Sequence, residues 1–326
     1  MIFDGHSDIC TDIVQRRLKG EKDIIKRRHL DKFNKGGITG SIFVMWVDPP
    51  YTDNPKKRIM ELIKTVSNEF NENRDIIKHI REFDDFEKAK KDGKLAIVLG
   101  MEGLSPIEDD IELIDALYNF GVRHASVTWN EKNKLGAGAP QSNDYGLTEE
   151  GAKVVKRMEE LGIVVDVSHS NEKTFWDICE VVTKPIIASH SNCRALCDVK
   201  RNLTDDQLRA VAKTGGLVGL NSYREFIDEN VDKQDLEHLI NHLDHMIEVI
   251  GIDHVGFGFD FLDFIEEEEI GNHMEIGDNS NTRGLENATK VKNLIELLEK
   301  RGYSKEYIEK ISYKNFYRVM KECFRD

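Results

Sequence analysis

The 326-residue chain has no apolar run approaching the roughly 20 residues that a membrane-spanning helix needs. A charged and then apolar leader is not expected either. A His-x-Asp triplet begins at residue 6 and leaves no room for one. The C-terminal Lys321-Glu322-Cys323-Phe324-Arg325-Asp326 lacks the hydrophobic tail of a lipid-anchor signal. Cysteine is sparse: Cys10, Cys179, Cys193, Cys197 and Cys323 are odd in number and scattered. Cys193-x-x-x-Cys197 has a metal-like spacing but no second pair, so all five are expected as reduced thiols of a cytosolic, that is cytoplasmic, protein. Positive charge is in deficit, with 46 Lys+Arg against 60 Asp+Glu and a net charge of −14. Nucleic acid and anionic membrane, which reward basic patches, are therefore not expected partners. The excess of acid does not by itself predict a cationic substrate, because bound metals would make a local field positive. No Gly-x-Gly-x-x-Gly opens a dinucleotide-binding sheet. Internal repeats, low-complexity segments and obvious linkers are absent as well. The expectation is one domain over residues 1–326 with a large core.

What the chain does have is a regular alternation of apolar runs and helical patterns. Strands are expected at 3–9, 42–47, 95–102, 122–129, 163–170, 185–191, 217–221 and 254–260. Ile59, Leu62, Ile63, Val66 and Phe70 give residues 56–80 a helical period. Thr148 and Thr204 are placed to cap helices. Two further helices, near 286–301 and 304–323, follow the last strand. Near-continuous Val/Ile/Leu strands suit a parallel sheet buried on both faces. Eight such units predict an α/β fold of the (β/α)8 TIM-barrel type with additional C-terminal helices. Residues 262–285, with the run Glu266 to Glu269, read as a solvated loop placed to overhang the end of the barrel.

Polar residues recur where these strands end. The first strand carries His6 and Asp8, two apart and so expected on one face. The third ends in Glu102, the fifth in His169, the sixth in His190 and the eighth in Asp260. One strand-end histidine usually just bonds backbone. Six such residues converge only if all strands open onto one mouth, as they do in a barrel. Three imidazoles and three carboxylates exceed the needs of one four-coordinate ion and fit two metals sharing a carboxylate. The other histidines do not follow the rule. His124 lies early in the fourth strand and His254 opens the eighth. His29, His79, His238, His242, His245 and His273 lie in charged helices or loops. All eight are read as surface or packing residues.

Several motifs occur in order: Asp4-Gly5-His6-Ser7-Asp8, Gly36-Gly37, Glu102-Gly103, Asn143-Asp144-Tyr145-Gly146-Leu147-Thr148, Asp166-Val167-Ser168-His169, Ser189-His190-Ser191, Arg201-Asn202 and Gly256-Phe257-Gly258-Phe259-Asp260. On these, nearly the whole chain resembles the membrane (renal) dipeptidase family, peptidase family M19, of the metal-dependent amidohydrolase superfamily. The resemblance implies a zinc-dependent dipeptidase with two zinc ions per chain. His6, Asp8 and Glu102 would hold one zinc and Glu102, His169 and His190 the other. Glu102 takes the bridging place where superfamily relatives often carry a carbamylated lysine. Asp260 matches the aspartate that orients the bridging hydroxide and shuttles its proton. Arg201, otherwise a helix-flanking surface charge, matches the arginine that pairs with the substrate's terminal carboxylate, a task suited to its bidentate fork. Tyr223 matches a substrate-contacting tyrosine, with packing as the equal alternative. The family's tolerance of D-residues implies L-Xaa-D-Xaa dipeptides among the substrates, and its members are commonly homodimers.

One departure from the family concerns Val127-Thr128-Trp129-Asn130, where many members have a Leu-Thr-His run whose histidine stabilises the oxyanion. Trp129 can donate an indole hydrogen bond but cannot carry charge, and Asn130 offers an amide donor instead. Loss of one preorganised donor costs about 2.7–4 kcal/mol of transition-state stabilisation. Two other readings stay open on that account. One is an amidohydrolase acting on another amide, an N-acyl amino acid, or a lactam or lactone. The other is a metal-stabilised protein without turnover.

Overall fold

Apolar runs flanked by amphipathic helices bury both faces and pair in parallel. Strands β1 (Ile2–Ser7), β2 (Ile38–Trp46), β3 (Ile77–His79), β4 (Leu95–Glu102), β5 (Val122–Ser126), β6 (Val164–Asp166), β7 (Ile187–Ala188), β8 (Leu217–Leu220) and β9 (Val255–Phe257) form one sheet in the computed structural model of the chain. The structure describes residues 1–49, 51–108, 110–265 and 280–325. The strand order is β2-β1-β9-β8-β7-β6-β5-β4, and β2 closes the ring on β4 from Gly40 opposite Ala96 to Trp46 opposite Glu102. Eight strands thus make the expected closed barrel, with helices outside it.

The ninth segment, β3, is where the structure departs from the sequence expectation of one helix over 56–80. That helix is Pro55–Glu72. Asn73 ends it by folding its side-chain amide back onto Glu69, with Nδ2 2.9 Å from the carbonyl oxygen and 3.0 Å from Oε1. The chain then pairs Ile77–His79 with the first three residues of β4, before β5 takes over that edge at Leu99.

The barrel interior is layered. In β4 the residues Ala96, Val98, Gly100 and Glu102 follow the period of two that turns alternate side chains to one face. Phe3, Ile42, Val44, Val98, Val164, Ile187 and Leu217 fill the lower interior. The C-terminal helix Asn315–Cys323 closes the bottom, putting Phe316, Val319 and Met320 into the same cluster. Gly5 is a requirement of that seal: a Cβ there would lie 2.3 Å from Phe316 Cζ. Outside the strands, helices Pro55–Glu72, Glu149–Leu161 and Leu236–Ile250 pack Leu62, Val66, Val154, Met158, Leu243 and Met246 into the main core. Thr148 and Thr204 cap their helices as the sequence indicates, Thr204 within a reciprocal box with Gln207.

Several strands are shorter than their apolar runs. Asp8 is not the second position of a strand face. It lies past β1, immediately before helix Ile9–Leu18. His169 and His190 lie in turns beyond β6 and β7. The segment after β9 is not a solvated loop where it is described. Leu262, Phe264 and Ile265 are buried, as are Ser280, Asn281 and Thr282, because an apolar group precedes the acidic run. Glu266 to Glu269 and His273 lie outside the described residues.

Candidate active site

A bulge aims His6. Between Asp4 and Ser7, β1 spends one residue more than β2, whose partners are Ser41 and Phe43. Bulges of this kind re-aim side chains near active sites. Gly5 can therefore face Phe316 in the interior while His6 reaches the mouth. Asp4 fixes the bulge: its Oδ1 accepts from the N–H groups of His6 (3.3 Å) and Phe259 (2.9 Å). Burial pushes the Asp4 carboxyl up to about 7, against the pull of those hydrogen bonds. Asp260 has a left-handed backbone, φ 57°. Asn221 Nδ2 donates to its Oδ2 (3.0 Å), and Asn281 Nδ2 donates to its carbonyl oxygen (3.0 Å). A non-glycine residue held in this region is the kind of strain that clusters at functional sites.

The ligand-type atoms meet at one place. His6 Nε2 is 3.6 Å from Asp8 Oδ2, 3.6 Å from Glu102 Oε1 and 4.0 Å from Asp260 Oδ1. Glu102 Oε1 is also 2.9 Å from His169 Nε2 and 3.5 Å from His190 Nε2. The two histidine Nε2 atoms are themselves only 2.9 Å apart. All six residues are buried.

This arrangement is unfavourable without a cation. Burial raises the Glu102 and Asp260 carboxyls above their usual range, and the Asp8 charge adds to this while His6 opposes it. Burial lowers His190 and His169 well below the ordinary imidazole value, reinforced by the Arg201 charge. On His6 burial also pulls downward, but Glu102, Asp8 and Asp260 outweigh it and hold the ring up at about 10. Asp8 Oδ1 and Glu102 Oε1 are buried and accept no hydrogen bond. Neutral His169 and His190 nitrogens, orphaned carboxylate oxygens and a His6 position whose neighbouring carboxylates call for a positive charge fit divalent metal binding by donor type and by charge. His6, Asp8 and Asp260, and likewise His6, Glu102 and His190, form groups whose ligand atoms lie within 4.8 Å of one another.

The cluster forms the floor of a cavity of about 190 Å³ that is lined by every candidate residue named from the sequence. Arg201 is a wall of the site rather than a surface charge. Its Nη1 donates to the Ser168 carbonyl, and its Nη2 contacts the His190 carbonyl oxygen (3.3 Å) and His169 Nε2 (3.1 Å). Tyr223 is buried, with its hydroxyl 3.4 Å from Glu225 Oε2. Trp129 packs against Trp46 at 4.8 Å between ring centroids. Asn130 touches His169 directly, its Oδ1 3.0 Å from Nδ1. Sequence reasoning missed Trp46, Pro140, Glu225, Phe226, Leu262 and Ile265 in the lining. Trp46 ends β2 opposite Glu102, so the rule of strand C-termini reaches it once aromatics are admitted. Glu225 and Phe226 lie on the turn after β8 and carry no such signal.

Comparison with known proteins agrees with this geometry. The sequence profile of the membrane dipeptidase family, peptidase family M19, matches residues 1–324. Dipeptidase tcpJ of Claviceps purpurea is 26% identical over 348 residues, covering 98% of this chain and 76% of that protein. An uncharacterised Klebsiella pneumoniae protein from the pqqA 5′ region is 35% identical over 250 residues, 74% of this chain and 87% of its own length. Among solved structures, a dipeptidase described as a family M19 metallopeptidase superposes with a TM-score of 0.87 at 26% identity, covering 99% of this chain and 98% of its own. A Rhodobacter sphaeroides metallopeptidase, liganded with a phosphinate mimic of L-Ala-D-Ala, shares the fold with a TM-score of 0.86 at 24% identity over 99% of each chain. With a profile match across the whole barrel and a buried imidazole–carboxylate cluster at its mouth, this chain belongs to the membrane dipeptidase family, peptidase family M19, and is by that membership a metal-dependent hydrolase of dipeptides.

Proposed function

We propose that the cluster holds two zinc ions, with His6 and Asp8 at one, His169 and His190 at the other, and Glu102 reaching both. The observation that carries this is the meeting of three Nε2 atoms at one Glu102 oxygen, 3.6, 2.9 and 3.5 Å away. Bound there, the pair would supply Lewis-acid polarisation of the scissile carbonyl and a water acidified toward neutral pH. The chain supplies the rest. Asp260 Oδ2 is held by Asn221, which leaves Oδ1 facing His6, 4.0 Å from its Nε2. Oδ1 takes the proton of the attacking water as the O–C bond forms, and returns it to the amine nitrogen as the C–N bond breaks. Arg201 reads the free carboxylate of the substrate's last residue, with Tyr223 beside it. Trp129 and Trp46, in contact with each other, add aromatic surface to the cavity lining. L-Xaa-D-Xaa dipeptides are among the substrates on this reading. A single domain in a cytoplasmic setting accords with five unpaired thiols and with the lack, among the described residues, of any helix long and apolar enough to cross a membrane.

The test is elemental analysis of unchelated protein together with a dipeptide library that includes both configurations at the second residue. About two zinc per chain and turnover of dipeptides with a free carboxylate are expected, as the two-metal scheme requires. Protein free of transition metal would defeat the reading. Trp129 in the cavity wall favours one rival, hydrolysis of another amide or a lactone. N-acyl amino acids and lactones on the same plate decide it: turnover of those alone, with every dipeptide inert, would replace the first reading.

A further inference from the structure

Beneath the mouth, the barrel interior carries a polar layer that ordinary packing does not explain. His124 on β5, Asp166 on β6 and Ser189 after β7 are all buried. His124 Nε2 is 2.9 Å from Asp166 Oδ2. Ser189 Oγ is 2.5 Å from the same oxygen and 2.7 Å from His190 Nδ1. The other oxygen, Asp166 Oδ1, accepts from Ser168 N (2.9 Å), Ser168 Oγ (2.7 Å) and Ser189 N (3.1 Å). The layer has room because β4 offers Gly100 opposite His124 in register: a Cβ there would stand 2.5 Å from His124 Nδ1.

Counting protons fixes the direction of the bonds that join Asp166, Ser189 and His190, since the Ser168 hydroxyl, 3.2 Å from Ser189 Oγ, is used on Asp166 Oδ1. An ionised carboxylate only accepts. Ser189 has one hydroxyl hydrogen, and its short contact to Asp166 uses it. Toward His190 the hydroxyl then has only lone pairs, so His190 Nδ1 must carry the hydrogen and donate. The proton-free nitrogen is Nε2, the atom that faces Glu102. Asn130 does the same for His169 in a separate way, since its Oδ1 accepts from Nδ1 at 3.0 Å. His6 Nδ1 has no such partner.

We propose that His124, Asp166 and Ser189 form a buried, proton-ordered relay that locks His190 as its Nδ1–H tautomer and so sets the metal affinity of the position His190 serves. These are positioning residues, and the metal half of the claim rests on the reading given under Proposed function. Outer partners of ligating histidines typically contribute 10–100-fold in affinity. Asp166→Asn tests the ordering with little change of shape. Two backbone N–H groups at the Oδ1 place require an acceptor there. The amide NH2 therefore takes the Oδ2 place, facing both His124 Nε2 and Ser189 Oγ, which turns the hydroxyl around and puts the hydrogen of His190 on Nε2. Ser189→Ala removes the acceptor, whereas Ser189→Thr keeps the hydroxyl.

Two measurements decide it. Nitrogen-15 NMR of histidine-labelled protein, before and after zinc loading, reads the tautomer of His190. Competition with a chromophoric chelator reads zinc affinity. The parent and Ser189→Thr are expected to show the Nδ1–H form. Ser189→Ala and Asp166→Asn are expected to lose its dominance and to bind one zinc 10–100-fold more weakly. If Asp166→Asn does not fold, the alanine and threonine variants at 189 carry the test. A parent in the Nε2–H form, or an alanine variant equal to the parent in tautomer and affinity, overturns the relay. A parent that takes up no zinc yet shows the Nδ1–H tautomer, lost in Ser189→Ala, defeats the metal reading and leaves the ordering standing.

Discussion

Asp260 combines three demands on one residue: a left-handed backbone, a hydrogen-bonded Oδ2 and a free Oδ1 near His6. Asparagine meets the first two, since it tolerates that backbone region and can offer Asn221 its amide oxygen. Its NH2 group then points where a proton acceptor is needed. If Asp260 carries the proton as proposed above, Asp260→Asn should keep its fold and bound metal, yet lose about 10²–10⁴ in kcat on dipeptides, the usual worth of general acid–base catalysis. Zinc content alongside steady-state kinetics checks this, and near-parental turnover would move the proton transfer to another group. Asp260, His6 and Glu102 were legible because each ends an apolar run, where a charge has no packing role. Arg201 was not: it lies on an irregular turn with no periodic signal, and only the family resemblance marked it. His124, Asp166 and Ser189 escaped for the opposite reason. They lie in or beside strands with apolar neighbours, and their partners come from three different strands.

Among elements, β1 carries the most constraint. Its bulge sends consecutive residues toward the interior and the mouth, and glycine at position 5 permits the first of these. A Cβ there would meet Phe316 Cζ at 2.3 Å, Phe257 O at 2.9 Å and Ser189 O at 3.0 Å. Two of the three are backbone oxygens that cannot turn away. Gly5→Ala should therefore destabilise by about 1–3 kcal/mol, the range for an overpacked interior. Trimming the ring with Phe316→Leu should recover only part of the loss. Denaturant melts of the single and double variants measure both effects. The strand count was readable from apolar runs, but strand ends were not. Asp8, His169 and His190 each lie just past the last paired residue. The placement at one mouth held because a turn after a barrel strand still opens upward. Strand β3 was hidden because Ile76, Ile77 and Ile80 continue a helix-like spacing past the point where Asn73 breaks it.

For the molecule as a whole, acid resistance depends on histidines sealed in the neutral state. His242 is buried between two turns that carry cavity walls. Its Nδ1 accepts from Cys193 N (3.1 Å) and its Nε2 donates to Ile227 O (2.8 Å). Burial lowers this ring from 6.5 to about 4, opposed by the bond to Ile227. Above 6.5 it is neutral both folded and unfolded. Between 6.5 and 4 only the unfolded chain takes up the proton, so stability falls as pH falls, and the loss levels off below about 4. The shift corresponds to a loss of order 3 kcal/mol. His242→Gln should cost stability at pH 7, and its gap to the parent should narrow steadily toward pH 4. Denaturant titrations of both proteins, stripped of metal so that the ligand histidines protonate alike, test this. A gap independent of pH would mean that the ring is not held neutral. The Phe316 seal has a consequence of another kind. Among the described residues the C-terminal helix shuts the floor of the barrel, so traffic to and from the cavity would pass through the mouth. On the function proposed above, both halves of a cleaved dipeptide would share that exit, and Arg201 would hold the half that carries the free carboxylate. The next substrate waits on its departure, so the free amino acid from the C-terminal side should compete with substrate in initial-rate assays.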